Sequence, residues 1–483
     1  MILNTPAQPL FCYVLAFLFS PAFSGLLAAQ QENYDIVLAN GRVMDPESGL
    51  DAVRHVGILN GQISMISEAP LRGDAEVDVT GLVVAPGFID LHAHGQDLFS
   101  SQLQVRDGVT TALELEGGAG NIEEWYAQRE GKSVINYGAT ASHGSARTLA
   151  LGDRETAVRE PAGLEHIEIM ETRLREELAR GALGIGYGIQ YTPAARREEI
   201  FRLFQLSSEQ GVTNFVHVRY SGQVEPGSSI EAIHEMIGNA AAAAASVHIV
   251  HIGSSGLHQV PTLLEMIHGA QKSGVDVTTE VYPYTAASTD IRAAIFDPGW
   301  RERMGADYGD IEWVATGERL DEEAFHQRRK SGGTIIAHII PPEMVEIAIE
   351  HPIVMIASDG VPYVNGRAHP RGAGTFARVL GRYVREQGLL SLMSALRKMT
   401  LMPAQRLESY VPQMRGKGRI AIGADADITV FDPDTVIDNA TFEEPAQAST
   451  GIAHVIVGGM FVVREATLLN DVLNGQAIRR EPM

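Results

Sequence analysis

The chain has 483 residues, enough for about two or three domains, and its 45% hydrophobic and 20% charged residues are typical of a globular protein with a large core. Its formal net charge of −22 argues against a surface that binds nucleic acid or anionic membranes, because such surfaces are basic. The composition therefore argues against a nucleic-acid partner and says little about the substrate.

The N-terminal segment has the pattern of a bacterial secretory signal peptide. An apolar run from Leu10 to Phe23 is followed by the small pair Ala28-Ala29 and then by polar residues. The run is shorter than the roughly 20 apolar residues that a membrane span needs. We therefore expect a signal peptide over 1–29, no stable membrane span after processing, and an exported protein that is periplasmic or secreted. The single cysteine, Cys12, lies in this segment, so the mature chain would hold no thiol ligand.

Short strand-like runs occupy both ends of the mature chain. Asn-Gly turns, which are strong hairpin signals, separate the N-terminal runs, and similar runs return near the C-terminus. We predict one small, discontinuous β-sandwich domain built from residues 30–86 and 407–483. The runs are Asp35–Ala39, Val56–Leu59, Ile63–Ile66, Asp427–Phe431 and His454–Gly459.

Residues 87–406 alternate strand-like runs with segments of helical periodicity, such as Glu165–Arg180, Arg196–Gln210 and Gly227–Ala244. Such units form a parallel sheet, and their number favours an α/β fold of the TIM type, a (β/α)8 barrel, over an open sheet. Residues from about 286 to 331 break the rhythm, which predicts an insertion over one mouth. Besides the strand that leads into His92, the strand candidates are Thr110–Glu116, Val134–Gly138, Gly184–Tyr187, Asn214–Val218, Val247–His251, Thr278–Val281, Thr334–His338 and Val354–Ala357.

Possible metal ligands stand at the ends of several of these strands, where barrels of this type carry their chemistry. His92 and His94 alternate along one strand, so one cation can meet both imidazoles. Imidazoles that hold divalent ions, a bridging carboxylate and a second carboxylate for proton transfer make a two-metal hydrolytic site. The other residues at such ends are Glu114, Glu116, His217, His251 and Asp359.

The segment Pro86–His94, the single histidines after later strands and the late Ser358-Asp359-Gly360 form a pattern in this chain. That pattern resembles the one found in the amidohydrolase superfamily. Within it the chain resembles the D-aminoacylases, the N-acyl-D-amino-acid deacylases, over nearly its whole length from Tyr34. The stretches that carry this closer resemblance are Ser142–Arg147, Gly181–Pro193, His217–Arg219, Val281–Ala286 and His369–Phe376.

The resemblance implies a metal-dependent hydrolase that cleaves the amide of an N-acyl amino acid, with the D-isomer favoured. A metal-activated water would attack, with Asp359 as general base. His92, His94 and Asp359 would surround the more buried or weaker metal, and His217 and His251 would hold the other. The resemblance implies Zn²⁺, as one or two divalent ions.

Two positions depart from the D-aminoacylase pattern. A cysteine ligand of that family corresponds to Gly117, so the adjacent Glu116 is predicted to replace it, with Glu114 as the second choice. A carboxylate in place of a thiolate would also admit Mn²⁺, Fe²⁺ or Co²⁺. The second departure is Gly253, which stands where the family has a lysine for the substrate's acid group.

Recognition of the substrate must therefore rest on other side chains. Tyr282, Ser288 and Arg292 are the candidates for the acid group, and Arg371 is a further candidate for an anionic substrate. His143 or Tyr191 is expected to assist the oxyanion.

Three alternatives remain at this point. A dipeptidase would use the same chemistry. A cyclic-amide hydrolase would need a carboxylated lysine at a strand end, whereas Lys132 precedes its strand and Lys272 lies in a helix. A catalytically inactive binding protein is not expected to keep the complete set of ligands. The sequence predicts no oligomeric state.

Overall fold

Three sheets organise the protein in the computed structural model, which describes residues 1–2 and 33–481. The expected signal peptide lies outside the described residues, apart from Met1 and Ile2. None of the helices in the part of the chain that is described is long and apolar enough to cross a membrane.

The strands, numbered in chain order, are β1 (Asn33–Asp45), β2 (Leu50–Leu59), β3 (Gln62–Ser67), β4 (Arg72–Asp78), β5 (Val83–Pro86), β6 (Phe88–Asp90), β7 (Val109–Ala119), β8 (Asn136–Ser142), β9 (Ile185–Gly188), β10 (Thr213–His217), β11 (Ser246–Ile249), β12 (Val277–Val281), β13 (Ala287–Asp290), β14 (Ile311–Trp313), β15 (Glu318–Arg319), β16 (Thr334–Ala337), β17 (Val354–Ile356), β18 (Ile428–Phe431), β19 (Ile452–Val457), β20 (Met460–Arg464) and β21 (Thr467–Leu468).

The α-helices are α1 (Leu98–Val105), α2 (Ile122–Ala127), α3 (His143–Leu151), α4 (Arg154–Arg159), α5 (Leu164–Ala179), α6 (Arg197–Glu209), α7 (Ser229–Ala243), α8 (Ile252–Gly256), α9 (Val260–Lys272), α10 (Trp300–Met304), α11 (Glu322–Ser331), α12 (Pro342–Glu350), α13 (Arg371–Arg378), α14 (Leu392–Met399) and α15 (Leu401–Leu407).

Eight parallel strands form the central barrel in the order β6-β7-β8-β9-β10-β11-β12-β17. Its first and last strands approach each other beyond their ends, where Ala93 and Gly360 form a bridge that nearly closes the ring. The predicted (β/α)8 barrel is thus confirmed. All of the polar strand ends identified above face one mouth, because the strands are parallel.

The helices around the barrel follow from amphipathic patterns. Helix α5 buries Ile167, Met170, Leu174 and Leu178, which recur at the spacing of one helical face. Ser228 caps the N-terminus of α7: its side chain accepts from the backbone amide of Glu231, and the Glu231 carboxylate accepts from the backbone amide of Ser228. The three helical segments found in the sequence all form, as α5, α6 and α7.

The insertion between β12 and β17 carries a small antiparallel sheet in the order β13-β16-β14-β15. The strand candidate Thr334–His338 belongs to this sheet as β16 and is not a barrel strand. A short apolar β-branched run satisfies either environment, and here Ile335 and Ile336 pair with strands of the insertion. The insertion therefore reaches beyond residue 331.

Both ends of the described chain meet in a separate nine-stranded sheet. Strand β18 pairs antiparallel with β5, and β19, β20 and β21 follow on the same side. Side chains such as Leu38, Val56, Ile428 and Ile456 form a core of their own. The predicted discontinuous β-domain built from both chain ends is confirmed.

The C-terminal segment closes the barrel at the end opposite the polar mouth. The backbone amide of Ile478 donates to Tyr137 O at 2.7 Å, and Tyr126 Oη donates to Ile478 O at 2.6 Å. The Ile478 side chain is buried in one apolar cluster with Leu113, Phe215 and Leu407. We call this cluster and its C-terminal cover the barrel floor.

Candidate metal centre and active site

Two groups of possible metal ligands lie side by side at the polar mouth. The first group is His92, His94 and Asp359, and the second is Glu116, His217 and His251. Within each group the ligand atoms all lie within 4.8 Å of one another. The structure thus brings together all six residues that the sequence proposed as ligands.

Asp90 fixes the first group by joining the ends of β6 and β17. Its Oδ1 accepts from the backbone amides of His92 at 3.1 Å and Ser358 at 2.9 Å, and its Oδ2 accepts from Ser358 Oγ. Asp359 and His251 have φ values of 50° and 35°, a region that non-glycine residues seldom occupy. Such backbone strain concentrates at functional sites.

Glu116 lies between the two groups. Its Oε2 is 3.2 Å from His92 Nε2 and 3.0 Å from His94 Nε2, and its Oε1 is 3.0 Å from His217 Nδ1. Glu114 contacts the opposite side of the His94 ring, with its Oε1 2.9 Å from Nδ1. Of the two carboxylates left open by the sequence, Glu116 is therefore the one at the point where the ligand atoms converge.

The chemistry of these donors fits a divalent cation. The Nδ1 atoms of His92 and His94 each face a carboxylate, so these nitrogens carry the ring protons in the neutral tautomer. Their Nε2 atoms then present lone pairs to each other at 3.1 Å. Two facing lone pairs beside the Glu116 carboxylate form a favourable environment only for a proton or a metal ion.

The electrostatics of the first group also favour a cation. Burial alone would lower the pKa of His92, but the charges of Asp359 and Glu280 outweigh it and raise that pKa to about 10. Burial would raise the pKa of Asp359, but Arg371 and His92 hold it well below its usual range. In the second group, burial and the neighbouring His217 lower the pKa of His251 to about 3.

A cavity opens beside these ligands and is lined by three of the predicted substrate residues, Tyr191, Tyr282 and Ser288. Burial raises the pKa of Tyr282 to about 12, so its hydroxyl stays protonated and can donate at neutral pH. The far wall of the cavity is apolar and consists of Ile295, Phe296, Met304, Ala337 and Ile339.

Comparison with known proteins agrees with this geometry. The model of the amidohydrolase family matches residues 168–463. An N-acyl-D-glutamate deacylase of Alcaligenes xylosoxydans xylosoxydans is 31% identical, over 90% of this chain and 95% of the relative. The chain belongs to the amidohydrolase family, in the branch of the D-aminoacylases.

Solved structures of this branch share the architecture. The N-acyl-D-glutamate deacylase of Bordetella bronchiseptica, crystallised with zinc and a phosphonate mimic of the tetrahedral intermediate, matches with a TM-score of 0.81 at 26% identity. That match covers 93% of this chain and 100% of the other. A D-aminoacylase described as having a binuclear metal centre matches with a TM-score of 0.80 at 25% identity, over 93% and 100% of the two chains.

Arg371 is buried behind the mouth of the barrel in this amidohydrolase. It is 1% exposed, its Nη2 is 2.9 Å from Asp359 Oδ1, and its guanidinium lies over the Tyr282 ring at 4.5 Å. Arg371 is not among the residues that line the cavity, and it supplies a positive charge from behind the cavity wall through its contacts with Asp359 and Tyr282.

Two other predicted substrate residues also do not line the catalytic cavity. Arg292 is exposed, pairs with Asp290 and lines an outer cavity that shares only Tyr191 and Thr289 with the inner one. His143 is fully buried, with its Nε2 2.8 Å from Glu199, which also pairs with Arg147. His143 therefore holds α3 against α6 and is not available to an oxyanion.

Several polar residues behind the ligands were missed in the sequence. Glu280 contacts His92 Nδ1 at 2.6 Å, Gln190 contacts His217 Nε2 at 2.9 Å, and Ser255 contacts His251 Nδ1 at 3.0 Å. The sequence could have indicated a functional role for Glu280, because it is the one charged residue in the run Val277–Val281. Gln190 lies in a short 3-10 helix after β9 and Ser255 lies in α8 after β11, and nothing in the sequence distinguishes either residue.

Proposed function

We propose that this amidohydrolase removes the acyl group from an N-acyl-D-amino acid by metal-dependent hydrolysis of the amide. The observation that carries the proposal is the convergence of two ligand groups on the Glu116 carboxylate beside a cavity that also exposes Asp359. The name and 31% identity of the N-acyl-D-glutamate deacylase support the substrate class and the D-configuration.

His92, His94, Asp359, His217 and His251 would hold the metal, and Glu116 would bridge two ions. When bound, a divalent ion, for which we propose Zn²⁺, would lower the pKa of a coordinated water towards ~7 and polarise the amide carbonyl. Mn²⁺, Fe²⁺ and Co²⁺ remain possible occupants, because the bridging ligand is a carboxylate oxygen.

Asp359 would act as the general base that takes a proton from the attacking water and passes it to the leaving amine nitrogen. Its low pKa keeps the carboxylate ionised at neutral pH and thus ready to accept that proton. The ion pair with Arg371 orients the carboxylate, since the guanidinium contacts one oxygen only.

The acid group of the substrate would bind between Arg371, Tyr282 and Ser288. Arg371 supplies the positive charge, and the two hydroxyls supply hydrogen bonds. Tyr191, whose ring packs against His217 at 4.6 Å, would contact the scissile amide. These side chains take the place of a lysine at Gly253.

We also propose that the protein is exported and acts in the periplasm or outside the cell. Support for this comes from the apolar run Leu10–Phe23 and from the location of the single cysteine within that segment. Protease accessibility in spheroplasts, compared with a variant lacking residues 2–29, tests the location.

A metal analysis combined with a substrate screen tests the proposed function. Purified protein is expected to carry one or two divalent ions per chain and to hydrolyse N-acyl-D-amino acids faster than the L-isomers. Dipeptides and cyclic amides belong in the same screen, because preferential cleavage of either would replace the proposed substrate class. Protein that neither holds a metal nor gains activity with added Zn²⁺, Mn²⁺ or Co²⁺ would refute the mechanism.

A further inference from the structure

The imidazoles of the first ligand group are both backed by carboxylates. His92 Nδ1 lies 2.6 Å from Glu280 Oε1, and His94 Nδ1 lies 2.9 Å from Glu114 Oε1. A carboxylate that accepts the distal proton of a histidine makes the other ring nitrogen a stronger donor to a metal. It also adds a negative charge next to the cation site.

The imidazoles of the second group are backed by neutral groups. His217 Nε2 lies 2.9 Å from the amide oxygen of Gln190, which also accepts from Ser221 Oγ at 2.9 Å. His251 Nδ1 lies 3.0 Å from Ser255 Oγ. These partners fix the orientation of each ring but add no charge.

Glu280 is itself held rigidly from inside the barrel. It is 1% exposed, and its second oxygen, Oε2, is 3.0 Å from His248 Nε2. His248 Nδ1 in turn lies 2.7 Å from Thr278 Oγ1. A buried carboxylate is costly unless polar partners compensate it, so this chain of contacts maintains a charge behind His92.

The balance of charge therefore differs between the two groups. The first group has Asp359, Glu114 and Glu280, with Arg371 as one opposing cation. The second group has the carboxylate of Glu116, which it shares with the first, and the more distant charge of Asp359, but its own outer partners Gln190 and Ser255 are neutral. A divalent ion gains more Coulomb energy at the first group, because the ligands other than His94 are buried and water screens the attraction little.

From this asymmetry we propose that the two metal positions fill in a fixed order, with the position of His92, His94 and Asp359 filled first. Glu280 and Glu114 act as positioning residues that set this order. The inference rests on the proposed metal-dependent function, and it reverses the relative strength that the family resemblance implies for the two positions.

Metal titration of the chelator-treated full-length protein tests the order. Zn²⁺ is added against a chromophoric chelator, and the bound equivalents are counted by elemental analysis. The wild type is expected to bind two equivalents with distinct affinities. Because loss of an outer carboxylate typically costs about 10–100-fold in metal affinity, Glu280→Gln should raise the Kd of the tighter equivalent by that factor.

The matched variants lie behind the second group. Gln190→Ala should raise the Kd of the weaker equivalent only, and Gln190→Glu should lower it, because the substitution supplies the missing charge. Glu114→Gln repeats the test nearer the mouth, where the side chain of its partner His94 is 23% exposed. It therefore serves if Glu280→Gln does not fold, as judged by circular dichroism.

Deletion of one ligand per group identifies the tighter position. His251→Ala should keep the tighter equivalent, whereas His94→Ala should lose it. Survival of that equivalent in His94→Ala with its loss in His251→Ala would overturn the order, as would unchanged constants in both Glu280→Gln and Glu114→Gln. Those results leave the proposed hydrolysis intact, while a wild type that binds no metal at all overturns both.

Discussion

The two ends of the barrel are built from the same strands but from opposite kinds of side chain. Strand β7 contributes Leu113 and Leu115 to the barrel floor, and Glu114 and Glu116 to the mouth. The floor buries apolar groups that stabilise the fold. The mouth buries carboxylates and imidazoles, which cost free energy until a cation compensates them.

This difference teaches that stability and chemistry are assigned to different side chains of the same strands. Substitutions at the mouth are expected to change rate, metal affinity or substrate affinity, whereas those at the floor are expected to change the free energy of unfolding alone. The following predictions test that separation, from the largest expected effect to the smallest.

The first prediction concerns the proposed general base. Asp359→Asn should lower kcat by roughly 10²–10⁴-fold, because the amide cannot take up the proton of water. The assay uses saturating Zn²⁺ so that weaker metal binding does not limit the rate. A loss smaller than tenfold, with the fold intact by circular dichroism, would contradict the assigned role.

The second prediction concerns the floor. Ile478→Ala should lower the free energy of unfolding by about 2–5 kcal/mol, since it leaves a cavity in a buried apolar cluster. Denaturant titration measures the loss, and kcat/KM should stay at the wild-type value. Leu473→Ala is the matched control, because Leu473 lies in the same segment but is 36% exposed and should cost little. An equal loss of unfolding free energy in the two variants would show that the barrel floor does not contribute specially to stability.

The third prediction concerns the metal as a stabilising ligand. Zn²⁺ at about 100 times its Kd should stabilise chelator-treated protein by ~2.7 kcal/mol per bound ion, because the unfolded chain lacks the site. Thermal unfolding with and without the ion measures the shift. Ile478→Ala should gain the same increment as the wild type, and a smaller gain would mean that the floor and the mouth are coupled.

The fourth and smallest effect is expected at the cavity wall. Tyr282→Phe should lower kcat/KM by roughly tenfold, as the loss of one hydrogen bond of ~1.5 kcal/mol to a charged group implies. The effect should appear in KM, because the bond is made equally in the ground state. A change confined to kcat would instead assign the hydroxyl to the chemical step.

Much of the fold and of the ligand set follows from the sequence, for physical reasons that individual residues illustrate. Parallel strands bring their C-terminal ends to one mouth, so His217 and His251 could be expected near His92 despite their distance in the chain. The β-domain could be predicted because Asn-Gly turns indicate hairpins near the N-terminus and similar strand-like runs return near the C-terminus.

Other features depend on contacts that no local pattern encodes. The run Thr334–His338 has the strand signal of a barrel member, and only its partners β13 and β14 reveal that it belongs to the insertion. Glu114 and Glu116 stand two residues apart and so share one face of β7, and alternation alone cannot show which of them lies between the two ligand groups. Arg292 and His143 were predicted to meet the substrate because of the charge of the first and the motif around the second. In the structure Arg292 pairs with Asp290, and His143 contacts Glu199.

The contact between Tyr126 and Ile478 spans 352 residues of sequence, and this separation has a consequence for biosynthesis. A chain emerging from the ribosome cannot cover its floor until its last residues are free. A product that ends before Ile478, such as one that lacks only Asn474 and the residues after it, leaves the apolar inside of the barrel uncovered. Truncated chains of this protein should therefore be removed by proteolytic quality control even when every metal ligand is present.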